Sequence, residues 1–409
     1  MSQATSFPRE RIRITLLENI HPAARETLEE AGHMVELIPR ALEGDELNAA
    51  VAASHLLGVR SRTKIRAPQL AHAGKLLAIG CFSVGTDQVA IGDAAQAGVP
   101  VFNAPHASTR SVAELTMGHV VALARRIGEK NLKLHRGEWD KSLAGAHEVR
   151  GRTLGIVGYG HIGQQVGILA EAFGMRVIFH DIQKKLPLGL NRPVSSLDAL
   201  LDEADFVSLH VPDTPRTRGM IGASQLERMK AGSYVINLSR GSVVDVEALR
   251  TALRSTHIAG AALDVFPTEP APTNATFDVG FTDFPNVILT PHIGGNTEEA
   301  QRNIGIEVAN SFIGFIDRGS TEGAVNFPNV NLPEIPDTHR ILNIHRNVPG
   351  ALAEVNRIVS EVGANIEAQQ LATTRDIGYL VMDVNKELSD EVNSRIAALP
   401  MSVRTRILY

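Results

Sequence analysis

The fold is decided by the stretch Thr153-Leu-Gly-Ile-Val157-Gly158-Tyr-Gly160-His-Ile-Gly163. Its β-branched start predicts a strand, and apolar residues at helical spacing from Ile162 to Phe173 predict a helix after it. In such a turn, the glycines permit a tight bend, a close approach of the backbone to a pyrophosphate, and close packing of helix on strand. The pyrophosphate would lie at the helix N-terminus, where free N–H groups favour anions. The stretch therefore predicts a dinucleotide-binding domain.

An acidic residue strengthens this prediction and selects the cofactor. A Gly-x-Gly-x-x-Gly motif alone is weak evidence, because other tightly packed turns also contain it. Here Asp181 ends the next predicted strand, at about the twenty-residue offset expected for an acid that binds a ribose. Its carboxylate would accept hydrogen bonds from ribose hydroxyls and repel a 2′-phosphate. We therefore predict NAD, and not NADP, as the cofactor.

Alternating strands and helices continue on both sides of this stretch. Six strands are predicted for the dinucleotide-binding part, at 154–157, 176–180, 206–211, 234–238, 258–263 and 287–289. Four are predicted before it, at 12–17, 34–38, 55–59 and 76–79. Alternation of this kind indicates βαβ units and parallel sheets covered by helices. The fold class is therefore α/β, and the second set matches a complete Rossmann-type domain.

The composition excludes several functional classes. The chain has 409 residues, of which 44% are hydrophobic and 21% charged, as is ordinary for globular proteins. A net charge of −5 argues against binding nucleic acid through a broad basic face. The single cysteine, Cys81, excludes an intrachain disulfide and suits a reducing cytosol. Without a long apolar run or an apolar signal-peptide core, we expect a cytoplasmic protein with no membrane partner, and we expect no metal.

Three polar side chains follow later strands of the predicted Rossmann-type domain. These are Arg240 in Asn-Leu-Ser-Arg-Gly, Glu269 in a proline-bounded loop, and His292 in Thr-Pro-His-Ile-Gly. They can converge, because ligands of open α/β sheets bind beyond the carboxyl ends of the strands. A histidine suits the base that oxidation of a hydroxyl needs, a glutamate would stabilise its imidazolium, and an arginine would hold a carboxylate. Each residue alone is better explained as structural: Arg240 as a surface ion pair, Glu269 as a loop acid and His292 as a capping histidine.

Together, these motifs resemble the D-2-hydroxyacid dehydrogenase family over nearly the whole chain. The resemblance implies that Arg240 anchors the substrate carboxylate, that His292 accepts the proton in oxidation, and that Glu269 is its partner. It also implies a set of residues that contact NAD. They are Gly158, Gly160, His161, Ile162, Gly163, Asp181, Leu238, Ser239, Arg240, Asp264, His292, Gly294 and Gly295.

The resemblance further implies three domains. A discontinuous, flavodoxin-like substrate-binding domain would comprise 1–107 and 296–336, around a Rossmann-type NAD-binding domain at 108–295. A regulatory domain would follow at 337–409. The return of the chain to the first domain is implied by the resemblance, since the sequence pattern alone does not show it.

A basic loop follows the strand predicted at 55–59. Its two guanidiniums suit a phosphate dianion, although an exposed basic loop explains these residues equally well. The resemblance assigns the loop to the substrate phosphate and the loop at 80–85 to the substrate carboxylate. The substrate-binding residues that it implies are Arg60, Ser61, Arg62, Ser83, Gly85 and Ser108. Ser108 stands where close relatives often have asparagine, but its hydroxyl can still hydrogen-bond the substrate.

The last seventy residues predict a βαββαβ module. Strands are expected at 340–345, 366–372, 379–384 and 403–408, and helices at 351–362 and 390–399, which is the ferredoxin-like order. Such a module can serve only for dimerisation, because a fold does not imply a function. However, His-x-Asn-x-Pro-Gly at 345–350 and Gly-Ala-Asn-Ile-Glu at 363–367 resemble the ACT amino-acid-sensing domain. By that resemblance, His345, Asn347 and Asn365 would bind L-serine between neighbouring subunits.

The whole resemblance implies NAD-dependent oxidation of 3-phospho-D-glycerate to 3-phosphohydroxypyruvate, the first step of L-serine biosynthesis, with feedback inhibition by L-serine. It implies a homotetramer joined through the NAD-binding and ACT domains, with Trp139 packed on a partner subunit. Two alternatives stay open. Another NAD-dependent D-2-hydroxyacid dehydrogenase would not need the basic loop or the tail. An NAD-sensing binding protein of the family would keep even the catalytic residues, although the same two features argue against it.

Overall fold

The structure, a computed structural model, describes residues 8–270 and 276–409. The chain groups into two compact units: one is the chain up to Ala107 together with Gln301–Tyr409, and the other is Ser108–Ala300. In the described ranges, no helix is long and apolar enough to cross a membrane. The prediction that no signal peptide is present depends partly on residues 1–7, which lie outside the described residues.

The first unit begins with a five-stranded parallel sheet. Its strands are β1 (Arg13–Leu17), β2 (Met34–Ile38), β3 (Leu56–Val59), β4 (Ala78–Cys81) and β5 (Val101–Phe102), and its helices are α1 (Pro22–Glu30), α2 (Gly44–Ala53), α3 (Ala67–Leu70) and α4 (Ile91–Gln96). The strand order is β2-β1-β3-β4-β5, the flavodoxin-like order, as predicted. The sequence missed β5, because two residues are too few to show a periodicity.

The second unit contains a seven-stranded parallel sheet. Its strands are β6 (Thr153–Val157), β7 (Arg176–His180), β8 (Arg192–Pro193), β9 (Phe206–Leu209), β10 (Ser233–Asn237), β11 (Ile258–Leu263) and β12 (Val287–Leu289). Its helices are α5 (Thr109–Ala124), α6 (Ile127–His135), α7 (His161–Ala172), α8 (Leu197–Glu203), α9 (Ala223–Arg228) and α10 (Val246–Arg254). The order β12-β11-β10-β9-β6-β7-β8 contains the Rossmann arrangement. All six predicted strands are present, and only the two-residue β8 is additional.

Helix α11 (Glu298–Arg318) returns the chain to the first sheet. Its buried side chains, among them Val308 and Phe312, join the core cluster that includes Ile14 and Leu56. A Cβ on Gly80 of β4 would lie 2.6 Å from Val308 Cγ1 and 2.7 Å from Phe312 Cζ. A glycine is therefore required at this point of the sheet for the helix to pack closely.

The tail forms a four-stranded antiparallel sheet with two helices. Its elements are β13 (Thr338–Arg346), α12 (Ala351–Val362), β14 (Ile366–Thr373), β15 (Ile377–Asn385), α13 (Ser389–Ala397) and β16 (Ser402–Leu408), and the strand order is β14-β15-β13-β16. The predicted βαββαβ order is confirmed. One sheet face packs on its own helices through a cluster that includes Ile341 and Val355. The opposite face, with Leu342 and Tyr379, belongs to the core cluster of the first sheet.

A buried arginine ties the tail to the preceding chain. Arg340 donates to both carboxylate oxygens of Asp383, at 2.7 Å each. It also donates to the carbonyls of Arg318, Leu332 and Pro333 at 2.7 to 3.0 Å. These five hydrogen bonds match the five N–H donors of a guanidinium. The end of α11 and the segment that leads to β13 are therefore held by one side chain.

Candidate active site

The glycine turn leaves open space where a pyrophosphate is expected. Gly158 has φ +91°, and a Cβ there would collide with the His210 carbonyl. A Cβ on Gly163 would collide with the Gly158 carbonyl, whereas a Cβ on Gly160 would meet nothing within 4 Å. The outer glycines therefore serve the turn and the packing of α7 on β6, as the motif requires. The middle one keeps the backbone accessible in front of the N-terminus of α7, where His161 and Ile162 begin the helix.

Asp181 is held at the same turn. It follows β7, and its Oδ2 accepts a hydrogen bond from the Tyr159 N–H at 2.9 Å. Its Oδ1 accepts from the Gln183 N–H at 2.8 Å. A carboxylate has about four acceptor sites, so these two bonds fix its position and leave capacity for ribose hydroxyls. The turn and Asp181 together fit the pyrophosphate and the adenosine ribose of NAD.

Glu269 and His292 form the predicted pair. His292 Nδ1 lies 2.7 Å from Glu269 Oε2, and Glu269 Oε1 accepts from the Phe266 N–H at 3.1 Å. The histidine side chain is half-exposed, and that of the glutamate is about one-third exposed. With Nδ1 bound to the carboxylate, Nε2 is the nitrogen that can take a proton from a substrate.

The groups around this pair shift the pKa of both side chains. The hydrogen bond with Glu269 raises the pKa of His292 above its ordinary value, and this effect exceeds the opposing effect of burial. Burial raises the pKa of Glu269, but His292, the Phe266 N–H and Arg240 together outweigh it, so the net pKa is lowered. The charge of Arg240 acts to lower the pKa of both groups. The three predicted catalytic side chains therefore lie close enough to interact.

Asp264 clamps the loop that carries the histidine. His292 has φ +54°, in a left-handed region that is uncommon for residues other than glycine. Asp264 is buried, and it accepts from the Thr290 hydroxyl at 2.6 Å and from the N–H groups of Ile293 and Gly294 at 2.9 and 2.8 Å. The carboxylate thus holds both flanks of His292. The predicted contact of Asp264 with NAD stays a prediction.

The Asn237 side chain holds the turn that carries Arg240 through three hydrogen bonds. Its Oδ1 accepts from the Ser239 N–H at 3.0 Å and from the Ser239 hydroxyl at 2.8 Å. Its Nδ2 donates to the Arg240 carbonyl at 2.9 Å. A Cβ on Gly241 would collide with the Phe266 carbonyl, so this turn lies against the loop that leads to Glu269. The sequence did not identify Asn237 as a functional residue, although it belongs to the Asn-Leu-Ser-Arg-Gly motif.

The other predicted residues of the second unit surround the same loop. A Cβ on Gly295 would lie 3.3 Å from the Ser108 hydroxyl, so the strand-to-helix turn before α5 and the loop after His292 are neighbours. A Cβ on Gly294 would be 3.8 Å from Leu238 Cδ2. The structure therefore brings Ser108, Leu238, Gly294 and Gly295 together near the histidine.

The loop of the first unit that is predicted to bind the substrate carboxylate is held by side-chain hydrogen bonds. Ser83 donates its hydroxyl to the Gly85 carbonyl at 2.7 Å and accepts from Gln88 at 2.9 Å. Asn103 holds the same loop by donating to the Val84 carbonyl at 2.6 Å. The Ser83 hydroxyl is therefore already hydrogen-bonded within the loop. This favours backbone N–H groups as the donors to a substrate.

The basic loop follows β3, as predicted, and its backbone is hydrogen-bonded to the Glu18 side chain. The Glu18 carboxylate accepts from the N–H groups of Arg60 and Arg62. Burial lowers the pKa of Arg60, and the charge of Glu18 opposes that shift. The side chains of Ser61 and Arg62 are exposed. Sequence reasoning missed Glu18, which is separated from the loop by more than forty residues.

The predicted effector residues lie at two ends of the tail's sheet. Asn347 donates to the Thr374 carbonyl at 2.8 Å, just beyond the end of β14, whereas Asn365 immediately precedes the start of β14. This strand has eight residues, which span about 26 Å at 3.3 Å per residue. His345 is buried, and its Nδ1 lies 2.9 Å from Asn343 Oδ1. One chain therefore does not bring Asn347 and Asn365 together.

Comparisons with known proteins agree with the description of the NAD-binding unit and with that of the tail. The NAD binding domain of D-isomer specific 2-hydroxyacid dehydrogenases matches residues 117–294. The ACT domain of the type found in AHAS small subunits matches residues 341–403. Among solved structures, the TT0316 protein from Thermus thermophilus has 34% identity and a TM-score of 0.68, over 76% of this chain and 99% of its own. D-lactate dehydrogenase from Aquifex aeolicus, complexed with NAD and lactic acid, has 28% identity and a TM-score of 0.67, over 77% and 100%.

Curated relatives match over the full length. D-3-phosphoglycerate dehydrogenase of Dictyostelium discoideum is 49% identical over 409 residues, which is 100% of both chains. The enzyme of the same name from Escherichia coli is 48% identical over 407 residues, or 99% of each chain. The match includes the tail as well as the NAD-binding domain. The chain therefore belongs to the D-3-phosphoglycerate dehydrogenases, within the D-isomer specific 2-hydroxyacid dehydrogenase family.

Proposed function

We propose that the protein oxidises 3-phospho-D-glycerate to 3-phosphohydroxypyruvate, the first step of L-serine biosynthesis, and that L-serine inhibits it. The observation that carries this proposal is the 2.7 Å contact of His292 with Glu269, in a unit whose glycine turn fits NAD. The full-length relatives named D-3-phosphoglycerate dehydrogenase support the choice of substrate. NAD, when bound, supplies the hydride acceptor.

Side chains of the second unit would carry out the proton transfer and bind the substrate carboxylate. His292 takes the hydroxyl proton at Nε2, while Glu269 orients the ring through Nδ1 and stabilises the imidazolium that forms. Arg240 holds the substrate carboxylate through parallel hydrogen bonds. Asp264 keeps the histidine backbone in its left-handed conformation, so that the base is already in place before substrate arrives.

We assign the substrate phosphate to the loop after β3. Arg60 and Arg62 supply guanidiniums for a dianion, and Ser61 supplies a hydroxyl. The loop that contains Ser83 and Gly85 would bind the carboxylate through backbone N–H groups, and Ser108 would add a hydroxyl. The corresponding domains are 1–107 with 296–336 for substrate, 108–295 for NAD and 337–409 for regulation.

L-serine inhibition requires a second copy of the chain. Strand β14 is an edge of its sheet, with β15 as its neighbour among the described strands. Antiparallel pairing of two β14 edges would bring Asn365 of one copy beside the Asn347 loop of the other. Main-chain pairing at an exposed edge is a common mode of association. We therefore propose that His345, Asn347 and Asn365 bind L-serine at a tail-to-tail contact.

A second self-contact would complete a homotetramer. Helix α6 and the loop after it expose apolar side chains, among them Leu134 at 56%, Trp139 at 76% and Leu143 at 85% exposure. Exposed apolar side chains on one segment of the chain suit a contact with a second copy. Two different two-fold contacts, one here and one at the tail, would generate a closed tetramer. We place the enzyme in the cytosol, since its one cysteine, Cys81, is a buried free thiol.

Initial rates of NADH formation test this function. The full chain is assayed with 3-phospho-D-glycerate, D-glycerate and D-lactate, each with and without L-serine. We expect the phosphorylated substrate to be strongly preferred and L-serine to lower its rate. Equal rates on D-lactate would indicate a different 2-hydroxyacid dehydrogenase, whereas NAD binding without turnover would indicate a sensing protein.

A further inference from the structure

The basic loop is built around a buried carboxylate. Glu18 directly follows β1, and only 8% of it is exposed. Its Oε1 accepts from the N–H groups of Thr63 and Arg60 at 2.8 and 3.3 Å. Its Oε2 accepts from the Arg62 N–H at 2.9 Å. Three of the four backbone N–H groups from Arg60 to Thr63 are thus bound by one side chain, which lies just after β1.

The backbone at Glu18 adopts an uncommon conformation where it makes these contacts. Glu18 has φ +63° and the next residue, Asn19, has φ +50°, both in a left-handed region that costs free energy for residues other than glycine. Such conformations persist where the surrounding structure requires them and tend to occur at functional sites. The Glu18 N–H also donates to the Ile38 carbonyl at 3.0 Å. Glu18 is therefore held by the end of the neighbouring strand β2 as well as by the loop.

A carboxylate is the group that suits this position. A buried charge needs several hydrogen bonds to offset the loss of water, and both oxygens of Glu18 receive them. A glutamine could accept from Arg60 and Thr63 through its oxygen, but its NH₂ group would then face the N–H of Arg62, donor against donor. The negative charge of Glu18 also acts to raise the pKa of Arg60, against the effect of burial.

We propose that Glu18 is a positioning residue for the substrate phosphate, acting through the Arg60–Thr63 loop. Because Glu18 occupies the N–H groups of Arg60, Arg62 and Thr63, recognition of a phosphate passes to the side chains that project from the anchored backbone. A second anchor supports the same loop: the buried Thr63 hydroxyl accepts from the Leu42 N–H at 3.3 Å. The inference rests on the proposed function, since it concerns the phosphate of that substrate.

Glu18→Gln tests the proposal in the full-length enzyme. We expect the KM for 3-phospho-D-glycerate to rise roughly tenfold, the factor that corresponds to one charged hydrogen bond. The kcat, the KM for NAD and the kcat/KM for unphosphorylated D-glycerate should change little. A residue that only supports the fold would instead lower activity on both substrates together. An unchanged KM for the phosphorylated substrate, or an equal loss on both, overturns the role of Glu18.

Two further variants make the result decisive. Glu46→Gln is the matched control, because Glu46 accepts two hydrogen bonds from Arg40 on the exposed surface of the same unit, and its loss should leave every constant unchanged. Glu18→Asp keeps the charge but shortens the reach by one methylene. It should raise the same KM by a smaller factor, and it decides the question if Glu18→Gln does not fold. A wild-type enzyme without preference for the phosphorylated substrate would overturn the proposed function itself, whatever the variants do.

Discussion

At the scale of single residues, the contact between His292 and Glu269 predicts a pH dependence. The base must be neutral to accept a proton, so oxidation should weaken as pH falls through the pKa of His292. That pKa is raised above its ordinary value by Glu269. In Glu269→Gln the charge is lost and the pKa should fall, so the acid limb should move to lower pH. Profiles of kcat/KM against pH for the two enzymes measure this shift.

His292→Gln provides the comparison for that experiment. It removes the titrating base, so the acid limb should disappear and turnover should fall by roughly 10²–10⁴, the usual contribution of a general acid–base group. Binding of NAD should be nearly unchanged in this variant. Superimposable profiles for wild type and Glu269→Gln would show that Glu269 does not control the base.

Asp181 makes a separate prediction about the cofactor. Asp181→Ala removes an acceptor for the ribose hydroxyls and the charge that would repel a 2′-phosphate. The ratio of kcat/KM for NAD to that for NADP should therefore shrink, mainly because NAD is used less well. The ratio is measured with saturating 3-phospho-D-glycerate. A wild-type enzyme that already used NADP as well as NAD would show that Asp181 does not select the cofactor.

The sequence motifs identified His292, Glu269 and Asp264 as candidate site residues. They did not show which side chains hold the loops of the candidate site in place. Histidine after a strand and glutamate in a proline-bounded loop are recognisable from their type and spacing. Asp264, Asn237 and Glu18 act through hydrogen bonds whose geometry the sequence does not display. For Glu18 the partners lie 42 to 45 positions away along the chain, so only the folded chain reveals the contact.

At the scale of elements, periodicity predicted the long strands and helices but not the short ones. Six strands of the Rossmann-type sheet and all elements of the tail appear where their patterns indicated. The two-residue strands β5 and β8 carry no pattern, and they are defined by pairing with β4 and β7. Strand order also had to come from the structure or from resemblance, because alternation alone does not specify which strands are neighbours.

The tail's edge strand leads to a prediction about inhibition. Asn347→Ala should raise the L-serine concentration needed for half-inhibition, with little effect on the uninhibited kcat, because Asn347 lies in the loop that would meet a second copy. Asn331→Ala, at an exposed asparagine before the tail, is the matched control and should leave inhibition unchanged. Asn347 is a better probe than His345, which is buried and packs against Gly378. Identical serine titrations for Asn347→Ala and wild type would remove this loop from the effector site.

At the scale of the whole molecule, the tail shares a hydrophobic core with the first sheet. Leu342, Tyr379 and Val381 lie in the same core cluster as Phe312 and Phe315. Deleting the chain after Ile335 would remove these three side chains and expose Phe312 and Phe315 to water, which costs about 25 cal/mol for each Å² of apolar surface exposed. Loss of serine inhibition in such a truncation would therefore be confounded by instability. The sequence carried a signal of this packing, since β15 is nearly apolar throughout, as is typical of strands buried on both faces.

We propose that the loop after β3 binds the substrate phosphate while His292 accepts the proton, and Arg60→Ala tests this division most directly. The measurement is the ratio of kcat/KM for 3-phospho-D-glycerate to that for D-glycerate, from NADH formation by wild type and variant. We predict that the ratio collapses, because KM for the phosphorylated substrate rises sharply while the slow turnover of D-glycerate changes little. An equal loss on both substrates, with the ratio preserved, would contradict the account.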